Sequence, residues 1–183
     1  RVANPARACA LVAHPHPLHG GTMHNPVVFH ADRELHRLGM TTMRFNFRGV
    51  GESDGVHDEG DGERDDVAAA LAWLRGLGPD VPQLFVGYSF GSWCGFRQLL
   101  RDPVAEAFVG IGLPVTRFAF DDVVDFRVPI HVVQGEHDEF GTPEEVRGLL
   151  RRARPEGRVH VVPDAPHLFP RRAGDAAAAV VRA

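Results

Sequence analysis

The sequence predicts a doubly wound α/β fold, in which a mostly parallel sheet is covered by helices. Short apolar runs alternate with longer amphipathic ones, which is typical of strands joined by helices. Polar side chains of catalytic types directly follow several of the apolar runs. The chain has 183 residues, of which 44% are hydrophobic, so it fits one domain with a hydrophobic core. In such a sheet we expect the chemistry at the carboxyl ends of the strands.

Six strands and five helices account for this alternation. The helical segments carry apolar residues on one face, as with Val67, Leu71 and Leu74 at the i, i+4, i+7 spacing. The predicted strands are residues 8–13, 41–47, 83–88, 105–112, 129–134 and 159–162. The predicted helices are residues 25–38, 62–77, 89–100, 143–152 and 174–180.

The charge balance excludes several classes of function. The formal net charge is -4 and the chain has no basic run, so we expect no nucleic acid as a partner. All 20 residues counted as Lys or Arg are arginines. The absence of lysine excludes Schiff-base chemistry and a P-loop lysine.

The two cysteines, Cys9 and Cys94, lie in an apolar run and in a predicted helix. We expect buried free thiols rather than a disulfide, which favours a reducing, cytoplasmic location. No apolar stretch approaches the ~18 residues of a membrane span, so we expect no membrane partner. No pattern in the sequence predicts the oligomeric state.

Residues 87–91 match the pattern G-x-S-x-G, with serine at position 89. An apolar strand precedes the pattern and a helical pattern follows it, which is the context of a nucleophile at a sharp strand-to-helix turn. The glycines leave room for the tight backbone, and the start of the helix favours a developing negative charge. We therefore predict Ser89 as a nucleophile. The plainer interpretation is a glycine-rich turn with a serine cap.

A serine nucleophile requires a general base, and the base requires a third group that holds its tautomer. In folds of this type the chain order is Ser, then Asp or Glu, then His. Asp138 follows the fifth predicted strand and His167 follows the sixth. We predict His167 as the base and Asp138 as the residue that orients it. The rivals are Glu136 and Glu139 for the carboxylate, and His137 and His160 for the base.

An oxyanion hole requires two backbone N–H donors near the nucleophile. Phe90 directly follows Ser89 and is predicted to supply one donor. The loop after the first strand is predicted to supply the other, and His16 is the candidate because its neighbours Pro15 and Pro17 have no N–H.

The same loop offers a competing interpretation. His14, His16 and His19 follow the spacing H-x-H-x-x-H, which could place imidazoles around zinc. The spacing resembles the H-x-H-x-D-H motif of metallo-β-lactamase-like hydrolases. However, Leu18 stands where that family has a metal-binding aspartate.

With these residues in view, the chain resembles the α/β-hydrolase superfamily. More narrowly, it is similar to small uncapped bacterial serine hydrolases related to dienelactone hydrolases and carboxylesterases. The resemblance covers nearly the whole chain as a single domain, residues 1–183. Family members usually carry one or two earlier strands that this chain is too short at its start to hold. The matching segments are HPHPLHGG (14–21), FNFRGVGESDG (45–55), GYSFG (87–91), GEHD (135–138) and PDAPHLF (163–169).

The resemblance implies cleavage of carboxylic esters through an acyl-enzyme, with no metal or organic cofactor. Dienelactone hydrolases use a cysteine nucleophile, whereas position 89 is serine, so an acyl-ester substrate is expected. Residues 113–128 are too few for a cap domain, so the site should be open. The predicted pocket walls are Leu113, Phe140 and Leu168, together with Pro114 and Phe169.

Three other functions stay open from the sequence. Thioesterase or serine peptidase chemistry would use the same triad. A non-catalytic binding protein would have no need of the three residues at separate strand ends. A zinc hydrolase would use the histidine loop instead.

Overall fold

The computed structural model describes residues 1–78, 80–153 and 157–183. Its strands form one parallel sheet in the order 2-1-3-4-5-6, counted along the chain. This arrangement confirms the predicted fold class. The strands are β1 (Cys9–Ala13), β2 (Thr41–Arg44), β3 (Gln83–Tyr88), β4 (Ala107–Ile111), β5 (Ile130–Gly135) and β6 (Arg158–Val162).

Helices cover both faces of the sheet. The helices are α1 (Pro26–Arg37), α2 (Asp61–Leu77), α3 (Phe90–Arg101), α4 (Pro143–Leu150) and α5 (Ala173–Val180). Alternate residues of β1 enter two separate cores: Leu11 packs on the side of α2, α3 and α4, and Val12 on the side of α1 and α5. All five residues of β1 are buried, as expected for a strand with both faces covered.

The second strand ends earlier than its apolar run predicts. Strand pairing stops at Arg44, the register partner of Val12. The chain then turns inward, and Phe47 is fully buried as part of a loop. Its backbone N–H donates to His14 Nε2 at 3.1 Å. An apolar run can therefore mark a buried loop as well as a strand.

The remaining predictions about the chain's environment concern cysteine and membranes. Cys9 and Cys94 are buried free thiols, as predicted. Within the described residues, no helix combines the length and the apolar character needed to cross a membrane.

Candidate active site

Ser89 occupies the turn between β3 and α3. Its backbone has φ 53° and ψ -117°, a strained conformation for a residue with a side chain. A Cβ atom on Gly87 would lie 2.5 Å from Ser92 Cα, and one on Gly91 would lie 2.5 Å from the His14 carbonyl oxygen. Both glycines of the pattern are thus required by close backbone approach. The turn presents the serine hydroxyl at the carboxyl edge of the sheet.

The structure brings Ser89, His167 and Asp138 into one hydrogen-bonded chain. His167 Nε2 lies 2.8 Å from Ser89 Oγ. His167 Nδ1 lies 2.9 Å from both carboxylate oxygens of Asp138. With its proton on Nδ1, the histidine donates to Asp138 and accepts from the serine hydroxyl. The side chains of Asp138 and His167 are almost completely buried.

Asp138 is held by donors on both of its oxygens. The Phe140 backbone N–H donates to Oδ1 at 2.9 Å, and the Gln134 side-chain amide donates to Oδ2 at 2.9 Å. Gln134 also donates to the Gly141 carbonyl at 2.6 Å and accepts from the Leu113 N–H at 2.8 Å. Sequence reasoning missed Gln134. Its only sequence signature is a glutamine near the end of a largely apolar strand.

Two further residues hold the His167 backbone in place, and Gly112 leaves room for its ring. The Tyr88 hydroxyl donates to the His167 carbonyl at 3.0 Å, and the His167 backbone N–H donates to the Glu139 carboxylate at 3.1 Å. Burial, followed by the nearby carboxylates of Asp138 and Glu139, raises the pKa of Tyr88, so its hydroxyl stays a donor. Gly112 has φ 55°, and a Cβ there would lie 3.2 Å from the His167 ring.

The rival acids and bases lie outside this chain of hydrogen bonds. Glu136 and His137 are exposed, and their side chains gather with Asp164 on the outer surface of the loop. Glu139 is exposed and accepts from the backbone of His167, not from its ring. His160 lies on β6, with its ring 6.0 Å from that of His131.

The loop after β1 lies beside the first turn of α3. The His16 ring packs 4.6 Å from the Phe90 ring, measured between centroids. The His16 carbonyl accepts from the backbone N–H groups of His19 and Gly21 at 3.1 and 3.0 Å, which fixes the loop backbone. Phe90 is the first residue of α3, a position where the N–H has no acceptor within its own helix. The donor roles of His16 and Phe90 stay predictions.

Both ring nitrogens of His14 contact backbone groups of the protein. Its Nδ1 lies 2.6 Å from the Pro15 carbonyl, and its Nε2 accepts from Phe47. Burial lowers the pKa of His14 to about 4, so the ring is neutral at neutral pH. In the described part of the chain, His14, His16 and His19 are not among the groups whose ligand atoms converge. The contacts of His14 favour a structural role for its ring over the zinc interpretation of the loop.

Ser89 opens into a cavity of about 470 Å³. The cavity wall consists of His16, His19, Pro114, Arg117, Phe118 and Phe140 around Ser89. Phe140 and Pro114 therefore lie where the sequence predicts them. Among residues 113–128, only a short 3-10 turn, Asp121–Asp125, has helical structure. Nothing in this connection forms a cap.

Three predicted wall residues do not line the cavity. The Leu113 side chain is fully buried in a hydrophobic core, and its backbone N–H donates to Gln134. Leu168 is 70% exposed and borders a separate depression beside α1. Its neighbour His167 points inward to Ser89, and Leu168 points away. Phe169 is buried against Tyr88.

A parallel sheet with a serine at a strand-to-helix turn, hydrogen-bonded to a histidine and a buried carboxylate, defines the α/β-hydrolase class. Comparison with known families agrees with this class. Residues 6–180 match the family described as alpha/beta hydrolase domain, and the chain belongs to this family.

Solved structures and a curated relative support the same family. A serine hydrolase without a lid from Xanthomonas campestris is 35% identical, with a TM-score of 0.88 over 100% of this chain and 81% of its own. An alpha-beta serine hydrolase homologue from Coxiella burnetii is 32% identical, with a TM-score of 0.89 over 100% of this chain and 86% of its own. An uncharacterised protein of Rickettsia prowazekii is 37% identical over 83% of this chain. The match spans 66% of that curated relative's length.

Proposed function

We propose that the protein hydrolyses carboxylic esters through an acyl-enzyme formed on Ser89. The observation that carries this proposal is the continuous hydrogen-bonded chain from Ser89 through His167 to Asp138. This series of hydrogen bonds ends at the Ser89 hydroxyl, which faces an open cavity where a substrate carbonyl can approach it. Similarity to a serine hydrolase without a lid supports the same reaction class.

The first half of the proposed reaction forms the acyl-enzyme. His167 Nε2 takes the proton of the Ser89 hydroxyl as Oγ bonds to the ester carbonyl carbon. Asp138 holds the Nδ1–H of His167 and stabilises the imidazolium that results. The imidazolium then gives its proton to the departing alcohol oxygen as the carbon–oxygen bond of the ester breaks.

The second half releases the acid. A water molecule gives a proton to His167 Nε2 and attacks the acyl carbonyl, and the proton returns to Ser89 Oγ as it leaves. In both halves the backbone N–H groups of Phe90 and His16 are proposed to bind the oxyanion. Loss of one such donor typically costs about 10²–10³ in turnover. The chain itself supplies nucleophile, base and donors, so the proposed reaction needs no metal or organic cofactor.

Labelling with a fluorophosphonate probe tests this proposal. The probe reacts with activated serines and requires little knowledge of the substrate. We expect one adduct, on Ser89, when the labelled protein is mapped by mass spectrometry. Ser89→Ala should abolish the adduct and His167→Ala should reduce the labelling rate by several orders of magnitude.

Ser92 provides a matched control for the probe. It lies three residues from Ser89 in α3, and its hydroxyl donates to the Ser89 carbonyl at 2.5 Å instead of contacting a base. Ser92→Ala should retain the adduct. Folded wild-type protein that takes up no probe, or a Ser89→Ala variant that still cleaves esters, would overturn the proposal.

A further inference from the structure

The nitrogen-bearing side chains in the cavity wall are of basic types. Three side chains in the wall around Ser89 carry nitrogen donors, namely those of His16, His19 and Arg117. None of the lining residues is an aspartate or glutamate. The remaining wall is apolar. Among these described lining residues only Arg117 carries a permanent charge, so the cavity favours a negative charge over a positive one.

Among the residues that the structure describes, none gives Arg117 an anionic partner. Its guanidinium lies 4.7 Å from the centre of the Phe140 ring, and within the described ranges it forms no salt bridge. Other arginines behave differently: Arg48 lies 2.8 Å from Asp66, and Arg97 lies 2.6 Å from Asp61. The exposed guanidinium of Arg117 thus keeps its donors available at the cavity wall.

The permanent charge of the cavity comes from Arg117. Burial, together with the nearby His19 and His57, lowers the pKa of His16 below its ordinary value, although Glu59 and Glu63 oppose this. This shift favours the neutral form of the His16 ring. An arginine stays charged at every pH at which the enzyme would be assayed.

The position of Arg117 links it to the reacting groups. The Phe140 ring, over which the guanidinium lies, also contacts the His167 ring at 4.6 Å between centroids. On the neighbouring wall, Phe118 stacks on Trp93 at 4.5 Å and contacts Phe90. A substrate at Ser89 therefore meets aromatic surfaces and one fixed positive charge.

We propose that the cavity selects esters that carry a carboxylate, and that Arg117 is the specificity-determining residue that binds it. This proposal rests on the proposed function, because it names the substrate class of the same site. The planar guanidinium matches a carboxylate through two parallel N–H donors, whereas a neutral ester of the same shape leaves the charge unpaired.

Matched ester pairs test the proposal. The first pair places the charge in the acyl group: the mono(4-nitrophenyl) ester of glutaric acid against 4-nitrophenyl pentanoate. The second pair places it in the alcohol: 3-carboxyphenyl butanoate against phenyl butanoate. We would measure kcat/KM for each ester with wild type, Arg117→Gln, Arg117→Lys and Arg182→Gln. Arg182 is the control, since it is an exposed arginine that does not line the cavity.

In at least one pair, wild type should prefer the anionic ester, and Arg117→Gln should reduce that preference by about tenfold. Arg117→Lys should restore part of the preference and Arg182→Gln should retain all of it. A purely structural role of Arg117 would change kcat/KM equally for both members of a pair.

If the esters are cleaved without a preference that depends on Arg117, this proposal is overturned and the proposed function stands. Failure to cleave any of the four esters, together with absence of the fluorophosphonate adduct, overturns both.

Discussion

At the scale of single residues, the environment of Asp138 separates it from the other carboxylates nearby. Its two oxygens accept from Gln134 and from the Phe140 N–H as well as from His167. These donors satisfy the oxygens of a carboxylate that is almost completely buried. Asp138 can therefore hold one tautomer of His167, whereas the neighbouring Glu139 contacts only backbone.

Asp138→Asn should lower kcat by about 10⁴ with little loss of folded protein. The asparagine amide donates to His167 Nδ1, so the proton moves to Nε2 and the ring no longer accepts from the Ser89 hydroxyl. The rate constant of fluorophosphonate labelling and steady-state ester hydrolysis both measure this effect, and circular dichroism checks the fold.

Glu139→Gln is the control for this substitution. An amide oxygen at position 139 still accepts from the His167 backbone N–H, so we expect less than about a tenfold change in labelling rate. If Glu139→Gln cost as much as Asp138→Asn, the assignment of the orienting carboxylate to Asp138 would be wrong.

At the scale of elements, two helical glycines occupy opposite environments. Gly95 in α3 faces β3, where a Cβ would lie 2.0 Å from the Phe85 ring. Gly76 in α2 faces open space, with no atom within 4 Å of such a Cβ. Gly95 lets α3 approach the sheet closely, whereas Gly76 only adds conformational entropy to the unfolded chain.

Alanine at the two positions should therefore change stability in opposite directions. Gly95→Ala should lower the free energy of unfolding by about 1–3 kcal/mol or more, because Phe85 has to move. Gly76→Ala should raise it by about 0.5–1 kcal/mol. Urea denaturation of each variant measures both effects, and a neutral Gly95→Ala would contradict the close packing of α3 on β3.

Element boundaries also show what the sequence can predict. The turn at Ser89 was predictable because local residues set it: the glycines, the preceding strand and the following helix. The buried loop at Phe47 was not, because its contacts with His14 are distant in the chain. The same reason applies to the cavity wall. Arg117 and Phe118 lie in a connection whose path depends on tertiary packing, so no periodic pattern marked them.

At the scale of the whole molecule, buried neutral histidine couples stability to pH. The pKa of His14 is about 4 in the folded protein, against 6.5 in an unfolded chain. Between these values the unfolded state binds more protons, so the free energy of unfolding falls as pH falls. The contribution is fully present above pH 6.5 and is lost towards pH 4.

His14→Gln should flatten this dependence. Wild type should lose about 2 kcal/mol from this group alone between pH 7 and pH 5, and the variant should lack that part of the slope. Urea denaturation at pH 5, 6 and 7 measures the slope for both proteins. If the free energy of unfolding depended on pH equally in both proteins, the description of His14 as a buried, neutral histidine would be wrong. The variant is expected to be less stable at pH 7, since it loses the contact of the His14 ring with the Phe47 ring, although the amide oxygen can still accept from the Phe47 N–H.

The wholly parallel sheet has a consequence for the order in which the molecule forms. In the described sheet all strand pairs are parallel, so none of them is joined by a hairpin. Cys9 in β1 can pair with Gln83 only after β3 has been synthesised. Ser89 and His167 are separated by 78 positions along the chain. Folding therefore depends on slow closure of long loops and not on rapid local zippering. During synthesis, His167 cannot lie beside the hydroxyl of Ser89 until the last strand and the segment after it have left the ribosome.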